Sequence, residues 1–153
     1  MAPTWLQIRV ELERGRGIEC EPPPGRVFIV GPKHSFAQLA EAIDLAFARW
    51  DASHLHLFEL PDGRRVGFAE VDEDDEEGWL DHDALMVAQE LSPGDEFTYT
   101  FDLGDDWRHR CQVLEEKADP DEEYGAGAPA RRPVPIEGWG WIPDQYGRAS
   151  IEE

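Results

Sequence analysis

Apolar and polar residues alternate at the start of the chain: Leu6, Ile8, Val10 and Leu12 are separated by Gln7, Arg9 and Glu11, with Glu13 following. A period of two predicts a half-buried strand. Gly15-Arg16-Gly17 and the prolines at 22, 23 and 24 interrupt it. Val27–Val30 predicts a second strand, so the first thirty residues read as a hairpin with a long proline-rich connection. The period then changes. Phe36, Leu39, Ile43, Phe47 and Trp50 recur at threes and fours, the stripe of a helix lying on a sheet. Ser35 with Gln38 three residues on has the capping-box pattern at its start, and Asp51-Ala52-Ser53 marks its end near Trp50.

Beyond the helix, His54–Leu60 predicts a third strand, stopped by the turn residues Pro61-Asp62-Gly63, and Arg65–Glu70 a short fourth. Seven of the eight positions from 70 to 77 are acidic, which predicts a solvated loop. Ala84–Leu91 reads as a short helix ended by Ser92-Pro93-Gly94, and strands are expected over 96–102 and 107–115. After Ala118 the chain is rich in Pro, Gly and acid. A mobile linker is expected over 118–130, with Trp139, Trp141, Ile142 and Tyr146 bringing 131–147 back onto the body. Strand, strand, helix, strand resembles the opening of a β-grasp. The expected class is α+β: a mostly antiparallel, mixed sheet with one main covering helix, extended by the later hairpin, in one domain over 1–153.

Charge narrows the function. Lys plus Arg number 14 against 34 Asp plus Glu, a formal net charge of -20. Such a surface repels phosphate backbones, so direct nucleic-acid binding is disfavoured and a basic partner favoured. Two lone cysteines, Cys20 and Cys111, and the lack of any long apolar run predict a reduced, cytoplasmic chain with no membrane span.

The stretch FTYTFDLGDDWRHRCQV, Phe97–Val113, holds the candidate chemistry. One face carries Phe97, Tyr99 and Phe101, then Trp107, His109 and Cys111, and is expected to be core. The other pairs threonines with Arg108 and Arg110, either of which can meet Asp102 across the strands. At the turn Gly104 is expected to supply the positive φ, and Asp105 and Asp106 to bond backbone amides. Hairpin physics accounts for all of these residues. A ligand or partner site at Asp102, Asp105, Asp106, Trp107 and His109 stands beside that reading. In the third strand His54 and His56 share a face, and two imidazoles at i and i+2 can ligate one metal. With Asp105, Asp106 or His109 nearby they would form a mixed nitrogen and oxygen site for a divalent ion. The alternative is that both histidines line the sheet, with no cofactor.

SHLHLFEL at 53–60, then PGDEFTYTFDLGDDWRHRCQVLE at 93–115, resembles the plasmid pRi ORF-3-like family, also known as insertion-element passenger, TnpR-like proteins. Order and spacing are similar over roughly residues 4 to 147. CEPPPGRVFIV stands where that family often has a basic run, and GWGWIPDQYG where many members have a cysteine and paired glycines. The resemblance implies an α+β fold and a bacterial, often mobile-element, setting, with no particular activity. Resolvase chemistry is disfavoured, since Ser35 reads as a cap, Ser53 and Ser92 lie at turns and Ser150 in the tail. The expected function is a non-enzymatic interaction module with a basic or nucleic-acid-binding partner. A divalent-metal protein or metal-dependent hydrolase is the second expectation, and a nucleic-acid mimic the third.

Overall fold

The opening alternation forms β1, Trp5–Gly15, with Leu6, Ile8, Val10 and Leu12 all buried and the polar residues between them half-buried. The computed structural model describes residues 5–49, 55–68, 79–117, 132–143 and 145. Arg16 and Gly17, both at positive φ, turn the chain into β2 (Ile18–Glu19). The chain then returns as β3 (Gly25–Val30), antiparallel to β1 with Ile8 opposite Phe28.

Helix α1 spans Phe36–Ala46. Ser35 Oγ accepts from Gln38 N at 3.2 Å while Gln38 Oε1 accepts from Ser35 N at 2.9 Å, the reciprocal box expected from the sequence. Capping of this kind contributes about 0.5–2 kcal/mol. The helix ends before the expected Trp50, which lies outside the described residues. Ala48 takes a left-handed conformation (φ 58°), and Arg49 folds back to donate to Phe47 O at 2.8 Å. Phe36, Leu39, Ala40 and Ile43 face the sheet, Phe36 meeting Phe58 edge-on at 5.1 Å.

The remaining elements are β4 (His56–Glu59), β5 (Arg65–Gly67), β6 (Leu80–Asp81), α2 (Val87–Glu90), β7 (Glu96–Phe101), β8 (Trp107–Lys117) and β9 (Val134–Trp139). The acidic tract 70–77 and the stretch 118–130 lie outside the described residues. Among the described residues the strands form one nine-stranded sheet in the order β6-β5-β4-β7-β8-β1-β3-β9, with β2 on β1. Among the described pairs β5–β6 is parallel and the others antiparallel, so the fold is a large mixed sheet with few helices. The β7–β8 hairpin does not extend the margin of the sheet. It lies between β4 and β1, because β8 matches β1 in length and sets Cys111 and His109 against the buried Val10 and Leu12.

α1 covers one sheet face. On the opposite face Arg110 sits across from Thr98 and pairs with Glu96 at 2.8 Å, and Arg9 pairs with Glu11 at 3.1 Å. No helix among the described residues is long and apolar enough to cross a membrane.

Candidate functional site

The Asp102–Asp106 turn closes the ladder after the Phe101–Trp107 pair. Positive φ falls on Asp102 (61°) and Asp106 (54°), not on Gly104 as expected. Aspartate tolerates the left-handed region because its short side chain bonds locally. Asp102 Oδ1 accepts from Gly104 N at 3.2 Å and Asp105 N at 3.3 Å, and Asp106 N donates to Asp102 O at 2.7 Å. Asp102 therefore organises the loop. Its expected cross-strand arginines go elsewhere, Arg108 toward Glu13 (3.8 Å) and Arg110 to Glu96.

Among the described residues no amide donates to the side chains of Asp105 and Asp106, which pair with arginines instead. Arg16 Nη1 meets Asp105 Oδ2 at 3.2 Å, and Arg16 N donates to Asp105 O at 2.7 Å. Arg14 Nε and Nη2 both lie 3.0 Å from Asp106 Oδ2. Beneath these pairs the Trp107 ring lies on Gly15, where a Cβ would fall 1.9 Å from it, and the Arg49 guanidinium stacks over that ring at 4.2 Å. Trp107 is buried. The turn is a latch joining the tips of two hairpins. Its ion pairs are partly exposed, so each contributes about 0.2–1 kcal/mol, and the buried indole carries more.

His109 is fully buried, with Nδ1 3.0 Å from Tyr99 O and its ring edge-on to Phe47 at 5.0 Å. Burial pushes its pKa down to about 3, so the imidazole is neutral. The Tyr99 hydroxyl donates to Asp44 Oδ1 at 2.8 Å. Asp44 keeps some outer surface, yet its carboxyl is held against that buried phenol, and burial pushes its pKa up to about 8. Burial also raises both thiols, Cys111 most, and both are free. A thiol held protonated is a poor nucleophile.

His54 lies outside the described residues. His56 Nε2 lies 2.8 Å from His82 Nδ1, and Phe68 stacks on both rings at 4.9 and 4.6 Å. Burial first, then His82, pushes His56 down to about 4. Each described residue of the expected metal set thus has its own partner: His82 for His56, Arg16 and Arg14 for Asp105 and Asp106, and Tyr99 O for His109. His56 and His109 flank the Tyr99 ring at 5.7 and 5.3 Å. A different set comes together at the end of β6, where Asp81, His82 and Asp83 hold ligand-type atoms within 4.8 Å of one another. Sequence reasoning passed over these three, although an Asp-His-Asp triplet was there to be read. The Asp44–Tyr99 bond, spanning 55 positions, left no local signal.

The family model for plasmid pRiA4b ORF-3-like protein matches residues 4–147. None of the curated proteins compared matches the chain. Among solved structures, the fold is similar to the crystal structure of MM3350, a protein of unknown function from Methanosarcina mazei Go1. That similarity has a TM-score of 0.67 at 21% identity, covering 90% of this chain and 71% of the other.

Proposed function

Because the chain belongs to the plasmid pRiA4b ORF-3-like family, and because nine of its arginines are engaged within the fold, we propose that it is a non-catalytic α+β binding module. It takes up a basic protein partner on a negatively charged surface, in a cytoplasmic, mobile-element setting. The observation that carries this reading is where the arginines go. Arg9, Arg14, Arg16, Arg64, Arg108, Arg110 and Arg132 form ion pairs inside the chain. Arg26 and Arg49 donate to backbone carbonyls. With 34 acids and 14 bases, acids exceed bases by 20 across the chain. A net negative field of this size steers a cationic partner and raises its association rate.

The test is retrieval of a partner by the tagged chain at about 0.05 M salt, with release as the salt approaches about 0.5 M and screening shortens to a few ångströms. Poly-L-lysine should compete. Failure to recover a specific basic partner, or a complex indifferent to salt, would remove the proposal's support.

A further inference from the structure

At the end of β6 the chain arranges three ligand-type side chains on a rigid turn. His82 N donates to Gly67 O at 2.9 Å, Ala37 N donates to His82 O at 2.9 Å, and Ala84 N donates to Asp81 O at 3.1 Å. Asp81 Oδ1 accepts from Asp83 N at 2.8 Å, which fixes the spacing of the two carboxylates. Between them lies His82, only 7% exposed, while both aspartates are open to solvent.

The imidazole supplies the second observation. Its Nδ1 is taken by His56 Nε2 at 2.8 Å, deep among aromatic rings. Its Nε2 is directed at Asp83 Oδ2 at 3.5 Å, beyond the about 2.7–3.2 Å of an N–H···O hydrogen bond. The two rings share one proton. On His56 Nε2 it leaves His82 Nε2–H pointing at Asp83, and on His82 Nδ1 it leaves an Nε2 lone pair facing the carboxylates, the tautomer in which the imidazole can ligate a cation. Metal-bound histidines commonly have their second nitrogen held in this way, which fixes tautomer and ring orientation.

We propose that Asp81, His82 and Asp83 bind one divalent transition-metal ion of the Zn²⁺ class through His82 Nε2 and one oxygen of each carboxylate, with His56 as the positioning residue behind them. One nitrogen and two oxygens suit this class better than a purely oxygen-seeking ion. Ligand atoms within 4.8 Å of one another close on bond lengths of about 2.0–2.2 Å by small side-chain rotations. The solvent side of the ion stays open to water or a further ligand.

The experiment titrates Co²⁺ into the full chain, following visible d–d absorption, with Zn²⁺ displacing it. One tight equivalent with a nitrogen-ligand spectrum is expected, removed by chelator. Asp83→Asn and Asp81→Asn, both at exposed positions, should each weaken binding at least tenfold while leaving the circular dichroism unchanged. His56→Phe should weaken binding while retaining the stoichiometry, and His82→Gln should abolish the nitrogen signature. Binding unchanged in both aspartate variants overturns the proposal, as does a spectrum with oxygen ligands alone.

Discussion

At the 102–106 turn, Asp105 and Asp106 face Arg16 and Arg14, and a buried indole locks the pairs down. At the 81–83 turn, Asp81 and Asp83 bracket an imidazole whose inner nitrogen is already taken by His56. Both turns set carboxylates beside a histidine or tryptophan, so in sequence they look alike. They differ in what the fold brings opposite them. Two guanidiniums neutralise the first from within, and the second is left with an imidazole 3.5 Å from a carboxylate. A density of carboxylates is therefore no measure of a site. The internal counter-charge decides.

The largest expected contrast is in stability. Trp107→Ala should cost about 3–5 kcal/mol in urea melts, as truncation of a buried indole does, and it also frees the stacked Arg49. Asp83→Asn in the other turn should stay within about 0.5 kcal/mol. Equal losses from the two would erase the distinction drawn here. Gly15→Ala comes next, at about 1–3 kcal/mol, because the added methyl meets the Trp107 ring rather than solvent.

A change of slope comes third. His56 and His109 have folded pKa values near 4 and 3, below the unfolded 6.5. Their stabilisation is whole above pH 6.5 and is lost as pH falls through those values. Asp44 runs the other way. Raised from 3.8 to about 8, it stabilises fully below 3.8, and that contribution is lost as pH rises toward 8. Asp44→Asn should flatten the decline between about pH 4 and 8 and leave the acid limb alone. An unchanged decline in thermal midpoint across that window would show that Asp44 is not its source. Smallest is the Arg14–Asp106 coupling, about 0.2–1 kcal/mol in a double-mutant cycle, since both partners are partly exposed. A coupling of zero would leave Trp107 and the Arg16–Asp105 contacts to hold the latch.

Local signals in the chain were readable. The alternation at Leu6 to Leu12, the Ser35–Gln38 box and the β7–β8 hairpin depend on neighbours in sequence, and each is found where its residues place it. The order of strands was not readable. Placing the hairpin between β4 and β1 depends on which long apolar faces match, a choice made between distant segments. The helix end was misplaced because Ala48 adopts a conformation its residue type does not announce. The partners of Asp105 and Asp106 lie 89 and 92 positions away, and His82 lies 26 from His56. Those pairings exist only once the sheet is assembled. Asp105 and Asp106, candidates for a binding site in the sequence, form a latch in three dimensions.

Titration of poly-L-lysine into three forms of the chain tests the central claim most directly. The forms are the wild type, Asp105→Asn/Asp106→Asn, and a variant with the seven acids of 70–77 changed to their amides. The latch carboxylates are already matched, so the double variant should bind as the wild type does. The tract variant should bind several-fold more weakly, with a shallower dependence on salt. Loss of binding in the double variant, with the tract variant unaffected, would contradict the account and return the 102–106 turn to the role of a binding site.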